Sequence, residues 1–200
     1  PWSLERRDIR QRLRDYSMNR YGTCPAGIER FWEGMLATSY GFSTSQGIYR
    51  VQRQPYFMRG GRYDVSQEHF EAIESFISAS SSLSENQEYL TDLALWAGFY
   101  AFGKAEIIAD MIERCYKMGD LSSADALRVR FREAMLAADR FLDSNPLTRM
   151  ERWIGLARNL GSTEDEKDRF EINARRIVTT WGPGKEPDYL NDYSCRIWSG

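Results

Sequence analysis

Two hundred residues contain a single histidine, His69. An imidazole-based dyad has no second member here, and a zinc site would need ligand sets that proteins rarely use. His69 therefore reads as an exposed or capping residue. Cysteine is scarce too: Cys24, Cys115 and Cys195 form no CxxC pair and no disulfide framework. None has a histidine near it in sequence to serve as a base, so the structural reading is the default. Charge of one sign is also missing. Twenty-seven basic residues against 29 acidic leave a formal charge of -2, which offers no argument for a nucleic-acid or anionic-membrane partner. No apolar run approaches the ~18 residues that a membrane span requires. The longest, LALWAGFYAFG (93–103), reads as a buried helix, and the opening PWSLERRDIRQRL is too charged for a signal peptide. Neither a βαβ alternation nor a repeat of fixed period is present. Localisation is not encoded in these residues.

What is present reads as helix almost throughout, in a composition (42% apolar, 28% charged) that can bury a core. Ile9, Leu13, Tyr16 and Arg20 fall at helical spacing between Asp8 and Tyr21, and Gly22 stands where a C-terminal glycine would. Pro25 suits the first turn of a second helix with Ile28, Phe31, Trp32, Met35 and Leu36 on one face. Asp64 and Gln67 make a weak capping box for a helix carrying Phe70, Ile73, Phe76 and Ile77. SASSSLSEN (78–86) reads as a short linker. A long helix follows over about Gln87 to Met118, apolar on all sides in its first half, as suits the inside of a bundle. Leu127, Phe131, Ala134, Ala138 and Phe141 stripe the next, from Ser123 to Asp143. Met150, Trp153, Ala157 and Leu160 mark another, closed by Gly161. Thr163 with Glu166 forms a capping box for the last, whose stripe is Phe170, Ala174, Ile177 and Trp181. The acidic run Glu164, Asp165, Glu166, Asp168 fits the first turn of that helix and needs no metal to explain it.

One stretch breaks the pattern. GFSTSQGIYRVQRQPYFMRGGRY (41–63) predicts a long loop, with a small β-hairpin around Ile48 to Met58. Within it Arg50, Arg53, Arg59 and Arg62 interleave with Tyr49, Tyr56, Phe57 and Tyr63. Basic residues among aromatics suit single-stranded nucleic acid or an anionic sugar. The near-neutral chain favours a loop pinned to the domain surface by stacking. The fold class is all-α: an irregular bundle of about seven helices in one domain, 1–200, with one aromatic- and arginine-rich loop. No glutamate pair is singled out by its setting, so the residues alone describe a helical module without a visible catalytic centre.

A resemblance enters at the end of the chain. DRFEINARRIVTTWGP (168–183) and LNDYSCRIWSG (190–200) resemble the α-N-acetylglucosaminidases, glycoside hydrolase family 89. Members carry a segment N-x-R-x-x-x-T-x-W-G-P, a variable loop, then D-Y-A-x-[KR]-x-W-x-G-L. The matching residues are Asn173, Arg175, Thr179, Trp181, Gly182 and Pro183, then Asp192, Tyr193, Arg196, Trp198 and Gly200. Upstream, NRYG (19–22) and LATSY (36–40) resemble the family's entry into its helical C-terminal domain. Two departures stand out. Where the family carries an arginine shortly after the aspartate matching Asp92, this chain has the apolar DLALWAGFY. The usual Asn-Cys after the LATSY-like segment is Gly41-Phe42.

The resemblance implies a larger enzyme. A catalytic barrel N-terminal to residue 1 would supply two glutamates working with retention, so that this piece alone is inactive, and no cofactor is implied. The helical domain would pack on that barrel and line one wall of a pocket for a terminal α-linked N-acetylglucosamine. Trp181 would match the wall tryptophan, Tyr193 the tyrosine of the D-Y motif, and Leu190 the apolar residue three before it. Asp192 is either a sugar ligand or the cap of a final helix. The chain end at Gly200 is expected to be a cut. The implied compartments are the bacterial periplasm or exterior, or a lysosome. The implied partners are the barrel and the glycan, with no nucleic acid or membrane. A helical carbohydrate-binding or protein-interaction module without chemistry is the competing reading.

Overall fold

The computed structural model of the chain describes residues 8–40 and 67–179. Among these are eight helices and no strand: α1 (Ile9–Tyr21), α2 (Ala26–Ala37), α3 (Gln67–Ser78), α4 (Ser80–Leu83), α5 (Gln87–Met118), α6 (Leu121–Asp143), α7 (Met150–Arg158) and α8 (Glu164–Thr179). Seven are of substantial length and α4 is a single turn, as the all-α reading expects. The arginine-rich stretch 41–63, with its candidate hairpin, lies outside the described residues.

The punctuation of the helices is local chemistry. Asp8 caps α1 by accepting from the Arg10 N–H at 3.0 Å. Gly22 and Gly119 end α1 and α5 with φ of 75° each, a left-handed conformation that glycine adopts without a Cβ clash. Pro25, with φ -66°, precedes α2. Asp120 caps α6 through the Ser123 N–H. At α8 the Thr163–Glu166 capping box is closed from both sides: the Glu166 N–H donates to the Thr163 hydroxyl, and the Thr163 N–H donates to the Glu166 carboxylate.

The structure divides into two compact units. The first comprises described residues 8–40 and 67–96, the second residues 97–179. The first unit's core is aromatic. Phe31 sits 4.8 Å from both Phe76 and Trp96, edge-on, and Phe76 stacks on Tyr89 at 5.0 Å. Tyr89 is wholly buried and its hydroxyl donates to the Phe76 carbonyl at 2.8 Å, which satisfies the one polar atom such a ring brings inside. In the second unit, α6 turns Ala124, Leu127, Phe131, Met135, Ala138 and Leu142 inward, and Leu142 lies against Gly98 of α5.

Helices α2 and α3 approach unusually closely because small residues meet. A Cβ on Gly27 would stand 2.6 Å from the Ser75 carbonyl oxygen, and one on Gly34 would stand 2.5 Å from the Ala72 Cβ. Gly34→Ala is therefore expected to destabilise the protein by about 2 kcal/mol, even though alanine is the better helix former. Gly155 in α7 has nothing within 4 Å of its hypothetical Cβ, so Gly155→Ala should stabilise by roughly 0.5–1 kcal/mol. Urea titrations of both variants check the opposite signs.

Several expectations change. SASSSLSEN contains the single turn α4, not a linker, with Ala79 and Leu83 each 4% exposed. A short serine-rich run could not announce that two of its apolar residues would find a core. In α1 the buried positions are Ser17 and Tyr21, while Ile9 and Tyr16 are exposed. In α6, Phe141 is exposed and Met135 takes its place inside. In α7 only Ile154 is buried, and Trp153 and Leu160 face outward. The Phe170–Ala174–Ile177 stripe of α8 is not core either: Phe170 and Ile177 are 39% and 53% exposed.

Candidate functional site

The first unit holds a polar cluster around Asp92 on α5. Arg20 of α1 binds its carboxylate with two nitrogens, Nε at 2.5 Å and Nη2 at 2.8 Å, and the Tyr21 hydroxyl donates to Oδ2 at 2.7 Å. Arg20 also reaches Glu88 at 3.0 Å. The Asn86 amide donates to the Tyr21 carbonyl and accepts the Tyr89 N–H, tying the end of α1 to the start of α5. Hydrogen bonding to Asp92 pushes the Arg20 pKa up. Burial, and then Asp92, push the Tyr21 phenol up as well. Both groups thus stay protonated donors to the Asp92 carboxylate at ordinary pH. Within NRYG it is Arg20 and Tyr21 that meet Asp92, and the cation comes from 72 residues upstream in sequence.

His69 is corrected from an exposed or capping residue to a buried one. It is 2% exposed on α3, with Nδ1 2.8 Å from the Ser39 hydroxyl oxygen. Its position among Phe70, Ile73 and Phe76 on an amphipathic helix could have suggested this, but hydropathy alone treats histidine as polar. Burial pushes its pKa down from the ordinary 6.5 to about 4. The ring is neutral in the fold, while the unfolded chain takes up a proton near pH 6.5. Stability from this group is complete above pH 6.5 and is lost as pH falls from there towards 4. The expected loss is about 1 kcal/mol between pH 7 and pH 5.5, growing to about 3 kcal/mol near pH 4. Urea unfolding of the protein and of His69→Leu across that range checks it, since the variant should lack this share of the slope.

Cys24 and Cys115 are free thiols. Burial raises the Cys24 pKa, the opposite of what a nucleophilic thiolate needs. Cys195 lies outside the described residues. Among those described, no group of His, Cys, Asp and Glu is arranged to hold a metal ion, and no helix is long and apolar enough to cross a membrane. Glu106 on α5, which the sequence did not single out, is a carboxyl only 4% exposed. An open groove of about 620 Å³ runs over α2 and α3 between Glu29, Glu33, Glu68 and Glu71. Its acids are answered locally, Glu29 by Arg14 and Glu33 by Arg10, so it reads as a solvated face. A smaller cavity of about 40 Å³ beside Cys24 and Trp32 holds no more than a water or two.

In the second unit the polar organisation centres on Arg158, the last residue of α7. Its guanidinium meets Glu164 at 2.9 Å, Glu171 at 3.1 Å, and Asp168. The Asp168 hydrogen bond is the main cause of the raised Arg158 pKa. Lys167 and Arg175 lower those of Glu164 and Glu171 through direct hydrogen bonds. The acidic run at the start of α8 thus serves the helix terminus, as expected, and binds α7 as well. Arg175, one of the motif residues, donates to Glu171 through Nε at 3.0 Å and Nη2 at 2.8 Å. All four residues expected at the sugar pocket (Trp181, Leu190, Asp192 and Tyr193) lie outside the described residues. α8 ends at Thr179, two residues before Trp181.

Comparison with known proteins extends the sequence match. Residues 13–200 match the family described as Alpha-N-acetylglucosaminidase (NAGLU) C-terminal domain. No curated protein matches. Among solved structures, a family 89 glycoside hydrolase from Clostridium perfringens in complex with 2-acetamido-1,2-dideoxynojirmycin is similar with a TM-score of 0.80 and 26% identity, over 100% of this chain and 24% of that one. A double Glu-to-Gln variant, CpGH89 from Clostridium perfringens, in complex with its substrate GlcNAc-alpha-1,4-galactose, gives 0.78 and 25% over 96% of this chain and 24% of that one. The family 89 enzyme from that organism in complex with PUGNAc gives 0.77 and 25%, again over 100% and 24%. The chain spans about a quarter of the length of these enzymes. With motif, fold and family match in agreement over nearly its whole length, this chain belongs to the α-N-acetylglucosaminidase C-terminal domain family.

Proposed function

We propose that residues 1–200 form the helical C-terminal domain of an exo-acting, retaining α-N-acetylglucosaminidase and build one wall of its pocket for a terminal α-linked N-acetylglucosamine. The observation that carries this reading is the family match, which runs through residue 200 and so includes the W-G-P and D-Y segments. The similar Clostridium perfringens enzymes are complexed with N-acetylglucosamine-type ligands, which supports the choice of sugar.

In this reading a barrel preceding residue 1 carries the two carboxyl groups. Retention needs them ~5 Å apart, one attacking the anomeric carbon while the other protonates the leaving oxygen. The present chain contributes binding. Trp181 offers an apolar ring face and an N–H donor, Tyr193 a hydroxyl, Leu190 apolar lining and Asp192 a carboxylate acceptor or a helix cap. A single-sugar pocket needs that combination of aromatic surface and a few polar groups. Such chemistry requires no cofactor. The test is hydrolysis of an aryl α-N-acetylglucosaminide by the full-length protein, with the released anomer followed by NMR. Release of α-N-acetylglucosamine is expected. No turnover of that sugar would leave the family membership intact and remove the substrate.

A further inference from the structure

We draw no further inference here: the strongest candidate, the partly exposed aromatic cluster of Tyr16, Trp32 and Tyr40 on the α1–α2 face of the first unit, carries nothing because nothing in the structure shows what covers it.

Discussion

Trp181→Ala in the full-length protein is expected to lower kcat/KM on an aryl α-N-acetylglucosaminide about 100-fold while moving the melting temperature by no more than ~2 °C. The magnitude follows from the surface a tryptophan offers. Covering roughly 100 Å² of sugar at ~25 cal/mol per Å² amounts to ~2.5 kcal/mol, which is near two orders of magnitude in rate when it is expressed in the transition state. A core tryptophan has the opposite signature. Its truncation costs about 3–5 kcal/mol of stability and would unfold much of a marginal domain. The two cases are told apart by measuring melting and turnover on the same preparation. A variant that melts far below the wild type would sink the pocket assignment for Trp181. Tyr193→Phe in the same assay isolates the hydroxyl from the ring.

Asp92→Ala is expected to cost the protein about 2–3 kcal/mol, measured by urea unfolding. The Asp92 and Arg20 side chains are 18% and 27% exposed, so neither is fully shielded from water. That places the loss below the ~3–5 kcal/mol of a wholly buried pair. Three donated hydrogen bonds disappear at once, two from Arg20 and one from the Tyr21 hydroxyl. Tyr21 is 5% exposed overall, so its hydroxyl has little water to turn to. Asp92→Asn keeps an acceptor but loses the charge and offers donors where donors already point, so it should recover only part of the loss. A change below about 1 kcal/mol for the alanine variant would mean that water replaces the carboxylate, and that the clamp does not hold α1 to α5.

Much of the architecture was legible because it is written in short-range chemistry. The long helix needed only its unbroken apolar run and Gly119, and α5 spans Gln87–Met118 as expected. The start of α8 needed only Thr163 and Glu166 at the capping spacing. Burial was less legible. Trp153 and Leu160 looked like the inner face of α7, yet Ile154 is the residue inside. Nine residues at 3.6 per turn leave several apolar arcs open, and only the neighbouring helix selects one. His69 failed for a related reason: its polarity suggested the surface, whereas the aromatic face of α3 carries it inward towards Ser39.

The sequence by itself determined the helical class, the glycine stops at Gly22 and Gly119, the Thr163–Glu166 capping box and the family, because capping, periodicity and motif spacing depend on residues a few positions apart. Tertiary structure alone decided which partners those helices find. Asp92 sits in an apolar segment with no cation nearby in sequence, and Arg20 supplies one from α1. Gly27 and Gly34 are ordinary helix residues until Ser75 and Ala72 approach them. The acids of α8 satisfy a helix terminus on paper, and in three dimensions they also hold Arg158. Each of these pairings joins separate elements, and the chain encodes it only through the packing that brings them within a few ångströms.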